Sequence, residues 1–229
     1  MKRSEINQLI KDAIKIFEKH SFKLPPFAFW SQEEWKQKNN GEIDEIINCE
    51  LGWDVTDFGR GDFLREGLLL FTVRNGLLNS RDYPKTYAEK IMIGREGQLT
   101  LMHCHVNKTE DIINRGGGKL VFELYNREGE KDLAATPVIL QRDGVKVTIT
   151  AGGRICLSPG ESITLTPGMF HQFWAEKGSG DVMIGEVSSV NDDHNDNVFH
   201  HKQLRFPEIE EDEAPYRLLV GDYSKYLIN

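Results

Sequence analysis

The chain has 229 residues, of which 39% are apolar and 10% aromatic, and a formal net charge of −8. That is enough apolar matter to enclose a core and too much for a disordered chain. The acidic balance, with no basic run of five, excludes a nucleic-acid binder, because phosphate contacts need clustered Lys and Arg; no stretch approaches the ~20 apolar residues of a membrane helix, so no membrane partner is expected either.

Residues 1 to about 48 read as helical. In MKRSEINQLIKDAIKIF, Ile6, Leu9, Ile10, Ala13, Ile14 and Phe17 recur at helical spacing with charges between them. This predicts an amphipathic helix from Ser4 to His20, not a signal peptide, and therefore a cytoplasmic protein. Pro25 and Pro26 break the pattern, and Ser31 with Glu34 forms a capping-box signature that opens a second helix.

From about residue 50 the helical period gives way to short runs such as GLLLFTVRNG, TYAEKIMIGREG, QLTLMHCHV, KLVFELY and DVMIGEVSSV, punctuated by Gly, Asn and Pro. They predict a mainly β fold, a sandwich or barrel with the helices packed outside. The expected organisation is a single domain over 1–229: a helical extension (1–48), a β core (50–190) and a C-terminal extension (191–229) with no assignable pattern. Its acidic run, Glu210 to Glu213, reads as a solvated surface. Cys49, Cys104 and Cys156 are odd in number and scattered, as free thiols in a reducing compartment would be.

The stretch most informative about chemistry is MHCHVNKTEDIINRGGGK, residues 102–119. In a strand, His103 and His105 share a face, and their parity with Leu99 and Leu101 places them inside the barrel. Buried imidazoles need a partner, and a divalent metal satisfies both. An HxH alone is more often a pair of core or surface histidines. Here Glu110 follows a turn, and His171 stands behind the Pro-Gly turn of TPGMFHQFW. Three imidazoles and a carboxylate suit Mn, Fe, Co or Zn. Cys104 points the other way and is expected to pack outward.

Gly97, His103, His105, Glu110 and Gly117 match the first cupin motif, G(X)5HXH(X)4E(X)6G, position for position. The second motif, G(X)5PXG(X)2H(X)3N, is matched by Gly160, Gly168 and His171, with Pro167 displaced by one and Ala175 in place of the asparagine. The longer strings HCHVNKTEDIINRGGGKL, PGMFHQFWAE and GEVSSVNDDHNDN resemble the D-lyxose isomerase family of cupins. The resemblance implies a jelly-roll barrel and a homodimer. It also implies a divalent metal, usually Mn2+, on His103, His105, Glu110 and His171, and interconversion of D-lyxose with D-xylulose and of D-mannose with D-fructose.

Such an isomerase moves a hydrogen between C1 and C2 and a proton between two oxygens, through a cis-enediolate. Glu186 shares parity with Val182 and Ile184 and is the candidate base, with a pKa raised by burial; Lys108, between two ligands, is the candidate for the oxygen proton. Sugar-binding candidates are Lys90, Asp193 and Arg205, with Trp30 and Phe170 as aromatic faces; Asp192, Asp196, Arg217 and Trp174 are weaker ones. His194, His200 and His201 are expected in loops. A cupin dioxygenase and a non-catalytic sugar-binding cupin are the alternatives. A phosphosugar is disfavoured, for want of a glycine-rich phosphate cradle.

Overall fold

Helix α1 covers Arg3–Lys19, and the short helices α2 (Gln32–Lys36) and α3 (Asp44–Asn48) follow it in a computed structural model that describes residues 1–38, 41–206 and 208–227. The capping box at α2 forms as expected: Glu34 N donates to Ser31 Oγ, and Ser31 N donates to the Glu34 carboxylate.

The strands are β1 (Gly52–Thr56), β2 (Leu68–Arg74), β3 (Tyr87–Gly94), β4 (Leu99–His105), β5 (Glu110–Gly117), β6 (Leu120–Glu128) and β7 (Asp132–Leu133). Then come β8 (Val138–Arg142), β9 (Val145–Ile149), β10 (Gly153–Leu157), β11 (Ser162–Leu165), β12 (Met169–Ala175), β13 (Val182–Ser189) and β14 (Asn197–Phe199). A short helix α4 (Tyr223–Tyr226) ends the described chain. The strands form two antiparallel sheets, ordered β1-β2-β3-β13-β5-β11-β8-β9 and β10-β6-β12-β4-β14.

Alternation decides what lies between the sheets. Leu70, Met92, Ile112 and Ile184 of the larger sheet meet Phe122, Leu124, Met169 and Phe173 of the smaller one in a shared core. The opposite residues of the larger sheet, Leu69, Phe71, Ile91, Ile93 and Met183, are covered by Ile6, Ile10, Ala13 and Phe17 of α1. Each such burial contributes about 1.5–3 kcal/mol for a large side chain. Strands covered on both faces explain why LLLF and IMI are unbroken apolar runs rather than alternating ones.

The acidic run Glu210–Glu213 is exposed, as expected, and it also clasps the start of α1. Arg3, with no exposed surface, donates to Glu211 at 2.8 and 2.9 Å and to Asp222 at 2.7 and 2.9 Å. Asp212 accepts from Ser4 N (2.9 Å) and Ser4 Oγ (2.6 Å), and Glu213 from Asn7 Nδ2 (3.1 Å). The carboxylates thus satisfy N–H groups that a helix start leaves free, and they complement its dipole.

Arg3→Met is therefore expected to destabilise the fold by about 3–5 kcal/mol in denaturant unfolding, because Asp222 is left buried without its cation. The clasp also has a pH signature. The hydrogen bond from Arg3 holds Glu211 down from 4.5 to about 2. Its contribution is complete above the ordinary carboxylate value and is lost as pH falls toward 2.

Candidate active site

His103 and His105 lie on β4, and His171 lies beside them on β12, where it pairs directly with His103. The pairing then shifts: Phe173 faces Thr100, so Leu101 and Met102 together oppose the single residue Gln172. This β-bulge corrects the simple parity reading. Thr100 faces the cavity with His103 and His105, whereas Leu99, Leu101 and Met102 line a groove on the outer surface. The bulge re-aims the histidines inward after the strand has run out of phase. Gly168, at φ +76 in the turn before β12, donates its N–H to His105 O at 2.8 Å and fixes the two histidine strands against each other.

The imidazoles are oriented from behind. His103 Nδ1 lies 2.7 Å from Leu101 O and His171 Nδ1 lies 3.0 Å from Met169 O. A nitrogen facing a carbonyl oxygen must carry the proton, so Nε2 of each ring presents its lone pair. The ligating nitrogens of His103, His105 and His171 lie within 4.8 Å of one another. Glu110 Oε1 sits 3.3 Å from Nε2 of both His105 and His171, buried and without a hydrogen-bond donor. The lone pairs of His103 and His171 converging with the Glu110 carboxylate are the arrangement a divalent cation satisfies, and three imidazoles with one carboxylate fit one. Burial, aided by the neighbouring imidazoles, pushes His103 well below the usual range; burial pushes His171 down to about 4. Burial opposes ionisation of Glu110, but Lys108 and His105 outweigh it and hold the carboxyl well below the usual range.

From Glu110 a chain of alternating charges crosses the cavity. Lys108 Nζ is 2.7 Å from Glu110 Oε2 and 2.9 Å from Glu186 Oε1. Lys90 Nζ lies 3.6 Å from Glu186 and 3.9 Å from Asp193; Arg205 then bridges Asp193 (3.0 Å) to Asp54 (2.5 Å). Glu186 is 4% exposed and faces inward with Val182 and Ile184. Its pKa corrects the expected rise. Burial does push it up, but the attraction of Lys108 and then of Lys90 outweighs burial and lowers it.

The family model described as D-lyxose isomerase matches residues 1–223. A D-lyxose/D-mannose isomerase of Serratia proteamaculans is 49% identical over 227 residues, 99% of this chain and 100% of that one. The protein of the same name from Escherichia coli O157:H7 is 47% identical over 226 residues, again 99% and 100%. The chain belongs to the D-lyxose isomerase family. It is an aldose–ketose sugar isomerase, which replaces the dioxygenase and non-catalytic alternatives. The L-ribose isomerase of Acinetobacter sp. DL28, solved as a mutant with L-ribose, superposes with a TM-score of 0.61 at 12% identity, covering 92% of this chain and 98% of that one. That of Cellulomonas parahominis gives 0.60 at 14% identity, with the same coverage. These likenesses establish the cupin fold of sugar isomerases.

Within this family member, the cavity brings together His103, His105, Lys108, Glu110, His171, Glu186, Lys90, Asp193 and Arg205. It does not include Trp30 or Phe170. Trp30 packs edge-on against Trp35, and Phe170 turns to the opposite face of β12 to meet His200. The aromatic walls are instead Phe173 and the pair Phe58 and Phe199, whose rings lie 6.1 Å apart. Phe58 holds φ +55, pinned by Thr56 Oγ1 accepting from its N–H. A positive φ at a bulky residue announces itself only in the structure.

Asp196 serves the scaffold: it accepts from Asn107 N (2.7 Å) and Lys108 N (3.1 Å), holding the turn that carries Lys108. Asp192 accepts from His194 N and Asn195 N, and His194 pairs with Glu50 at the surface. Arg217 lies over the Tyr216 ring, and Arg154 over Trp174. Cys104, paired with Val198 of the neighbouring β14, is fully buried, and burial pushes its thiol up to about 11.

Proposed function

We propose that this isomerase interconverts D-lyxose with D-xylulose and D-mannose with D-fructose, using Glu186 and Lys108 for the proton transfers and Mn2+ as its metal. The observation that carries this is Lys108 Nζ held between Glu110, at 2.7 Å, and the second buried carboxylate, Glu186, at 2.9 Å. A divalent cation on His103, His105, Glu110 and His171 would supply an electrophile that polarises the sugar carbonyl. The curated names of the relatives support the two sugar pairs.

Glu186, ionised at neutral pH, takes the proton from C2 of the aldose and returns it to C1. The O2 proton passes to O1 by way of Lys108, whose ammonium donates to one oxygen and is refilled from the other, so no atom is gained or lost. The intermediate is a cis-enediol. Arg205 Nη1, buried without an acceptor in the cavity wall, is free to donate to a sugar hydroxyl, with Lys90 and Asp193 beside it. A homodimer is proposed from the family resemblance alone. The three unpaired cysteines suit the reducing cytoplasm.

The test is turnover of D-lyxose by the metal-loaded protein in heavy water. Proton transfer through Glu186 places solvent deuterium on C1 of the ketose. Normal turnover without deuterium would favour a hydride shift and take the carbon proton away from Glu186. No ketose from either aldose would end the substrate assignment.

A further inference from the structure

Two asparagines connect the active-site lysines to the scaffold. Asn75, directly after β2 and 3% exposed, donates from Nδ2 to Asn191 O at 3.0 Å and accepts at Oδ1 from Asn191 N at 3.0 Å. Its remaining donated bond goes to Cys49 O at 3.2 Å. The whole side chain is thus engaged by backbone, and the peptide of Asn191 is gripped from both sides. The side chain of Asn191 faces the other way, where its Oδ1 accepts from Lys90 Nζ and, at 3.4 Å, from Lys108 Nζ.

One neutral oxygen therefore gathers two ammonium groups. Each lysine carries three donors on a flexible stem. Lys108 directs its donors at Glu110, Glu186 and Asn191; Lys90 faces Asn191, Glu186 and Asp193. Carboxylates alone would hold the ammonium groups by charge, which is weakly directional. The amide oxygen adds a fixed third point without altering the net charge of the cavity, and it keeps two like charges close to the same acid.

We infer that Asn75 is a positioning residue for the isomerisation: by fixing the peptide of Asn191 it places the oxygen that sets Lys108 and Lys90 against Glu186. This rests on the assignment of proton transfer to Lys108 and Glu186. Asn75 is absent from the cavity lining, and its hydrogen bonds connect it to the lysines by way of Asn191.

The experiment compares Asn75→Ala, Asn191→Leu, Asn191→Asp and the double variant Asn75→Ala/Asn191→Leu by steady-state kinetics on D-lyxose, with metal content measured throughout. Asn75→Ala and Asn191→Leu are each expected to lower kcat about 10- to 100-fold, the scale of a roughly 1 Å misplacement of reacting groups. KM and metal content should stay near wild type. Asn191→Asp retains the oxygen and should restore most of the kcat that Asn191→Leu loses. The double variant should fall no further than the worse single one, since both act through one oxygen.

A wild-type kcat in Asn75→Ala, equal damage in Asn191→Asp and Asn191→Leu, or losses that multiply in the double variant would each overturn the inference. If Asn75→Ala does not fold, Asn75→Ser, which cannot grip both sides of the peptide, carries the same expectation. If the wild type makes no ketose, the substrate assignment fails separately. The inference is then judged by a crystal structure of the Asn75 variant, where lysines left in place on Asn191 Oδ1 would end it.

Discussion

Glu186→Gln will lower turnover of D-lyxose by about 10²- to 10⁴-fold, the span that a positioned general base contributes, and will leave the bound metal in place. The separation follows from the geometry. Glu186 stands on β13 and meets the proposed cation ligands through Lys108, which keeps its 2.7 Å contact to Glu110 when Glu186 loses its charge. The amide preserves the shape of the carboxylate and can still accept from Lys108, so the barrel core with Val182 and Ile184 is undisturbed. What disappears is the group that can hold a carbon proton. Because two lysines keep Glu186 ionised below its usual 4.5, the wild-type base form persists through mildly acidic pH. Near-normal kcat with normal metal content in Glu186→Gln would remove this residue from the chemistry.

The cluster of His103, His105, Glu110 and His171 is readable because most of its spacing is local. HxH and a glutamate five residues on fall at the end of one strand and the start of the next, and only His171 had to be sought at a distance. The face of Glu186 was readable for the same reason, from the period of β13. The bulge at Leu101 and Met102 was not, since two residues opposing one is a property of the partner strand, β12.

The pKa of Glu186 is not legible in the sequence, because the pattern DVMIGEV shows burial whereas the lysines that outweigh it come from β3 and from the turn before β5. Asp54 and Asn75 carried no signal: their partners Arg205 and Asn191 stand 151 and 116 residues away. The acidic run at 210–213 shows the same limit. Composition suggests solvent exposure, which the run has, but only the docking of α1 reveals that its charges also meet Arg3, Ser4 and Asn7. Aromatic residues were the least legible. Trp30 and Phe170 have the right chemistry, but Phe58, Phe173 and Phe199 reach the cavity, the first of them from a turn with a left-handed backbone.

Removing the metal will abolish turnover and also lower stability, and Glu110→Gln will reproduce both effects. Without a cation, Glu110 Oε1 lies 3.3 Å from Nε2 of both His105 and His171, and the latter offers it only a lone pair. A cation that binds only the folded chain stabilises it by about 2.7 kcal/mol at a hundredfold excess over its dissociation constant. Thermal unfolding should therefore shift upward when Mn2+ is returned to chelated protein, together with ketose formation. In Glu110→Gln the side chain keeps its shape and loses its charge, so the metal content should drop and added Mn2+ should leave the transition unmoved. Lys108, deprived of that carboxylate, is expected to settle on Glu186, its remaining acid at 2.9 Å. Full metal occupancy and activity in Glu110→Gln would refute its place among the ligands. The contrast with Glu186→Gln is the decisive one: one buried acid should govern whether the cation is held, and the other whether a proton moves while it is held.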